Sequence, residues 1–76
     1  MSGLTVTVRS VDGTMLRFPV GQHKLKELIQ LQRQGLTGKA LIHEWLTDDW
    51  GAAPIYIDVQ GIDEDGKKAD VRLLYN

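Results

Sequence analysis

Apolar and polar residues alternate along both ends of the chain and change to a helical rhythm in the middle. The first alternating stretch is Leu4-Thr5-Val6-Thr7-Val8-Arg9-Ser10; after Val11-Asp12-Gly13 the pattern resumes as Thr14-Met15-Leu16-Arg17-Phe18-Pro19-Val20. The second runs from Ile55 to Asp63, turns at Glu64-Asp65-Gly66, and continues from Lys67 to Tyr75. A period of two is that of a half-buried strand, and each pair of strands around a glycine turn predicts a β-hairpin.

The two faces of each hairpin fix its register. A two-residue Asp-Gly loop would set Val8 opposite Arg17 and Leu16 opposite Arg9, mixing apolar and charged residues on one face. A three-residue loop, with glycine in the left-handed conformation, moves the pairing by one. Val8 then faces Leu16, Val6 faces Phe18 and Leu4 faces Val20. The same loop in the second hairpin sets Val59 opposite Val71, Ile57 opposite Leu73 and Ile55 opposite Tyr75. On its other face Asp58 meets Arg72, a favourable cross-strand pair. Gly13 and Gly66 are the residues that take positive φ without strain.

Between the hairpins the spacing predicts two short helices. Leu25, Leu28, Ile29 and Leu31 form a stripe on the first, from about Gln22 to Gln34, with Gly35 as its left-handed stop and Leu36 folding back on Leu31. Thr37 is a good N-cap for the second, which gathers Leu41, Ile42, Trp45 and Leu46 on one face and Lys39, His43 and Glu44 on the other. Asp48 and Asp49 oppose the dipole at its C-terminal end, so it is expected to stop near Thr47, with Trp50 to Pro54 as a connector.

The element order is ββααββ. The inward set is Leu4, Val6, Val8, Leu16, Phe18, Val20, Ile55, Ile57, Val59, Val71, Leu73 and Tyr75. The outward set is polar except for Tyr56 and Leu74. One apolar and one polar face imply an α+β two-layer sandwich: a four-stranded antiparallel sheet with both helices on one face. Phe18, Leu28, Ile42, Trp45, Ile57 and Leu73 are the expected core. The likeness of Val8–Asp12 to Val59–Asp63 needs no explanation beyond two similar hairpins.

At 76 residues the chain is one domain, 1–76. A domain this small buries only about 60% of its unfolded surface, so its stability margin is thin. The absence of cysteine rules out a disulfide framework and a thiolate metal site, and fits the cytoplasm as the expected setting. Nine Lys and Arg balance ten Asp and Glu, which argues against a protein dominated by phosphate contacts. No apolar run approaches the ~20 residues of a membrane span, and Met1-Ser2-Gly3-Leu4 does not open like a signal peptide. Strands that begin and end near the termini lead us to expect a complete chain.

Candidate chemistry is sparse. His23 begins the first helix, His43 lies on a polar helix face, and Ser2 and Ser10 lie apart from both; no nucleophile–base set is readable and no enzyme is expected. Asp63-Glu64-Asp65-Gly66 begins like a calcium loop, but Lys67 and Lys68 follow where oxygen ligands are needed. Gly35 to Ala40 lacks phosphate-loop spacing and no strand precedes it. No metal or cofactor is expected.

The stretch Leu28–Leu46, with Gln34-Gly35-Leu36-Thr37 at its centre, resembles a DNA-binding helix–turn–helix. It departs from that pattern at Gln30, Gln34 and Glu44, which stand where apolar residues belong, and at Asp48 and Asp49, which would repel phosphate. The first hairpin and helix, ending at Gly35, resemble the opening of a ubiquitin-like β-grasp domain over about half the chain. That likeness is one of element order; the second helix and contiguous C-terminal hairpin depart from it.

Contact surfaces are the better candidates. Tyr56, Leu74, Arg17 and Arg72 share the outer face, where Tyr and Arg are characteristic of binding hot spots. Trp45 belongs to the apolar stripe. Trp50, beside Gly51, either plugs the end of the core or faces a partner, and the need to close a small core favours the plug. The expected function is therefore a small soluble non-catalytic module that binds a protein partner or forms a homodimer through the open sheet face or a sheet edge. The alternative is a nucleic-acid-associated accessory protein using Arg9, Arg17 and Arg72.

Overall fold

The computed structural model describes residues 3–46 and 53–75. They form β1 (Gly3–Ser10), β2 (Met15–Val20), α1 (Gln22–Arg33), α2 (Gly38–Trp45), β3 (Pro54–Ile62) and β4 (Lys68–Leu74). All strand pairs are antiparallel, in the order β2-β1-β3-β4, and the two helices pack on one face of the sheet. The α+β two-layer architecture is thus the one the alternation implies.

Both turns have the same chemistry. Ser10 N–H donates to the Thr14 carbonyl and Gly13 N–H to that of Ser10; in the second hairpin Asp63 donates to Lys67 and Gly66 to Asp63. Gly13 lies at φ 88° and Gly66 at φ 80°. The loops therefore hold three residues each, and Val8–Leu16, Val6–Phe18, Ile57–Leu73 and Val59–Val71 are facing pairs. An Asp side chain braces each turn. Asp12 Oδ1 accepts from Thr14 N–H at 2.9 Å, and Asp63 Oδ1 accepts from Asp65 and Lys67 N–H, each at 2.9 Å.

The first helix ends as its sequence requires. Gly35, at φ 94°, follows the C-cap of α1; its N–H donates to the Gln32 carbonyl and that of Leu36 to Leu31, which completes a Schellman motif. Thr37 is the N-cap of α2, without a side-chain cap bond, and α2 ends at Trp45 with Leu46 as C-cap. Asp48, Asp49 and Trp50 lie outside the described residues, and with them the choice between plug and partner surface for Trp50.

The core joins Val6 and Val8 of β1, Ile57 and Val59 of β3 and Leu73 of β4 to Leu28 of α1 and Leu41, Ile42, Trp45 and Leu46 around α2. Two hydrogen bonds lock the helices together. Lys24 Nζ donates to the Trp45 carbonyl at 2.7 Å, and Trp45 Nε1 donates to the Lys24 carbonyl at 2.7 Å. The lysine thus satisfies a carbonyl at the end of α2 while the indole N–H, otherwise buried without a partner, is satisfied in return. Toward the second turn, Gln22 Nε2 donates to the Ile62 carbonyl at 3.1 Å and Lys26 pairs with Glu64 at 2.7 Å.

Six inward residues are less covered than the alternation suggests, Val20, Val71 and Tyr75 being half-buried. Phe18 is only partly buried and Leu16 is 43% exposed, because the buried core gathers over β1, β3 and β4 and takes no residue from β2. Ile55 is 46% exposed. Its N-terminal neighbour explains this: the register slips between Arg9 and Ser10, so that Ser10 pairs with Pro54 and Arg9 with Tyr56, leaving Ile55 as the extra residue of a bulge. Pro54 is buried in its place, at the first position of the strand where a missing N–H is tolerated.

Candidate functional site

The registers turn the outer sheet face into rows that cross all four strands. Met15, Arg9, Tyr56 and Leu74 form one row; Arg17, Thr7, Asp58 and Arg72 form the next. Thr7 is 7% exposed although it lies on this face, because Arg17 and Asp58 flank it.

The β3–β4 half of these rows holds an ordered cluster. Arg72 Nε donates to Asp58 Oδ1 at 2.8 Å and its Nη2 to Asp58 Oδ2 at 3.0 Å, a fork-to-fork pair. The guanidinium carbon also lies 4.0 Å from the centre of the Tyr56 ring. The hydrogen bond to Asp58 holds the Arg72 pKa above its ordinary value. Leu74, directly opposite Tyr56, is 61% exposed. An aromatic ring, a fixed cation and a bare leucine make a contact surface of defined shape whose side chains are already ordered before binding.

The structure therefore brings together Tyr56, Arg72 and Leu74 from the expected surface. Arg17 shares their face and row but stands on the opposite edge strand, roughly 14 Å from Arg72 across three strand spacings, and so is not part of the cluster. Asp58 belongs to it as the residue that positions Arg72.

Little else converges. His43 Nε2 lies 2.7 Å from the Tyr75 hydroxyl, which pins α2 to the end of β4; among the described residues neither group meets a nucleophile. This contact was not readable from a polar helix face alone. Among the described residues no three His, Cys, Asp or Glu side chains form a group fit for a metal ion. No described helix is long and apolar enough to cross a membrane. A groove of about 360 Å³ runs between β4 and the α1–α2 turn, lined by Gln32, Leu36, Thr37, Leu41 and Leu73; Arg72 is the one ionisable side chain in its described lining. No protein-family model, curated protein or solved structure matches the chain.

Proposed function

We propose that this chain is a small non-catalytic interaction module that binds a protein partner, a second copy of itself included, through the Tyr56–Arg72–Leu74 surface and the sheet margin beside it. The observation that carries the reading is the double restraint on Arg72, held by Asp58 and stacked on Tyr56 next to an exposed leucine. Arg72 loses little side-chain freedom on binding because that freedom is already spent. The cysteine-free sequence fits a reducing compartment, and a cytoplasmic setting is part of the proposal, to be checked by cell fractionation.

The test is Tyr56→Ala combined with Leu74→Ser, in protein shown by circular dichroism to be folded. Parent and variant are compared by sedimentation and by partner recovery from native extract. Loss of self-association or of a recovered partner is expected. A folded variant that keeps its oligomeric state and every partner would show this face to be ordinary surface. Binding to nucleic acid instead would appear as affinity that falls steeply with salt.

A further inference from the structure

Among the described residues the sheet has two unpaired edges, β2 and β4, of different character. In the first hairpin Ser10 N–H donates to the Thr14 carbonyl, and the ladder alternates from there, so Met15, Arg17 and Pro19 direct their backbone groups outward from β2. Pro19 has no N–H to offer, a common device for blunting an edge. In the second hairpin the bonded pairs are Asp63–Lys67 and Ile55–Tyr75, so Ala69, Val71 and Leu73 turn their backbone toward β3. Lys68, Asp70, Arg72 and Leu74 turn theirs to the open side of β4, and none is proline.

We infer that the β4 edge is the self-association surface: two copies pair β4 to β4 antiparallel about a two-fold axis at Val71, joining their sheets into one of eight strands. The inference deepens the proposed function and rests on its self-association branch. Charge complementarity and full pairing of β4 together select the register. A continuous sheet must keep inner residues on the inner face, which limits the choice to registers centred on one residue. Centring on Asp70 sets that carboxylate against its own copy, and centring on Arg72 does the same with two cations. Centring on Ala69 sets Asp70 opposite a cation, Lys68, but pairs Arg72, Leu73 and Leu74 with the turn residues Gly66, Asp65 and Glu64. Centring on Val71 sets Asp70 opposite Arg72 of the second copy, twice by symmetry, through the pairs whose N–H and C=O groups face outward.

The inner face agrees with that choice. Val71 meets Val71 of the second copy, and Leu73 meets the small Ala69, which enters beside the groove along β4. Seven residues give an edge of about 24 Å. Such an edge falls short of the ~800 Å² per partner of a standard interface, so the groove wall and Leu74 must add to it and the dimer belongs to the weak class.

Two measurements on the whole chain test this. The first uses the lack of native cysteine. Across the two-fold axis Val71 faces its copy in a non-hydrogen-bonded pair with Cα atoms about 4.5 Å apart, within disulfide range. Val71→Cys is expected to cross-link on mild oxidation, and Ala69→Cys, which faces Leu73, is not. The second is sedimentation from about 10 μM to about 1 mM. Asp70→Lys is expected to weaken the dimer at least about tenfold through like charges. Asp58→Arg combined with Arg72→Glu reverses the intrachain pair and is expected to weaken it similarly. Mixed together, the two variants regain opposite charges at both positions and are expected to form a heterodimer.

A parent chain that stays monomeric, with equal cross-linking by both cysteine variants, removes the self-association branch as well as this edge, leaving only a foreign partner for the module. A parent dimer without selective Val71 cross-linking, insensitive to Asp70→Lys, overturns the β4 inference and leaves self-association by another surface standing.

Discussion

The two hairpins share a turn and a register but differ in what covers them. In each, three loop residues end in a positive-φ glycine and the inward residues face each other as apolar pairs. In the C-terminal hairpin Leu73 of the outer strand is 6% exposed, and α2 reaches over the strand end through His43 and Tyr75. In the N-terminal hairpin the outer strand has Leu16 at 43% exposure and Phe18 only partly buried. Local patterning thus makes the same supersecondary unit twice. Where the helices land decides which copy contributes its outer strand to the core, and that is a tertiary effect.

The largest test of this contrast compares Ile57 with Leu16. Ile57 is fully buried at the centre of the sheet, and Ile57→Ala should cost about 2–5 kcal/mol by lost burial and the cavity left behind. That is a large part of the stability of a domain this size. Leu16→Ala should cost under about 1 kcal/mol, since much of the side chain is already in water. Urea unfolding of both variants measures the difference. Equal costs would mean that the outer strand of the N-terminal hairpin is as well covered as the centre of the sheet.

Gly13→Ala and Gly66→Ala ask whether the turns themselves are equivalent. Nothing lies within 4 Å of an added Cβ at either position, so the cost is that of the left-handed backbone alone. About 1 kcal/mol is expected for each, equal to within a few tenths. Thermal unfolding of the pair is enough to see it. A marked inequality would place extra interactions in one turn.

Much of this fold was legible because its determinants are local. Strand alternation and glycine turns gave both hairpin registers; Gly35 gave the end of α1 and the stripe of Leu41, Ile42 and Trp45 gave the buried side of α2. Features that depend on strand order were hidden. The register slip that exposes Ile55 arises only when β3 meets β1. Gly61, at φ 142°, sits opposite Leu4, and a Cβ there would run into the Gly3 carbonyl; nothing in Gln60-Gly61-Ile62 announces that approach. The Lys24–Trp45 clasp joins residues on different helices, and a lysine at the start of a helix reads as solvated until the partner carbonyl is placed. Of the candidate surface, the Tyr56–Leu74 and Asp58–Arg72 pairs followed from the hairpin register, whereas the distance to Arg17 required knowing that β1 and β3 lie between.

The smallest expected effect separates the hairpins by pH. Hydrogen bonding from Thr14 in the first turn, through its side chain first and its backbone N–H second, holds the Asp12 pKa below the ordinary 3.8. A lowered carboxylate stabilises the fold above its unfolded pKa, and this is lost as pH falls through the folded value. Lys26 ties α1 to the second turn, and its hydrogen bond to Glu64 raises its pKa above the ordinary 10.5. A raised lysine contributes fully below 10.5, and its contribution is lost as pH rises through the folded value. The N-terminal turn should therefore weaken in acid, and the tether to the C-terminal turn in alkali. Denaturant midpoints for the parent, Asp12→Asn and Lys26→Met across the pH range measure both. The Asp12→Asn deficit should shrink on the acid side, below about 3.8, and the Lys26→Met deficit should shrink on the alkaline side, above about 10.5. Both groups are exposed, so salt weakens their interactions. Deficits that stay constant with pH would show that these side chains act through packing or solubility, and that the two turns differ in nothing that titrates.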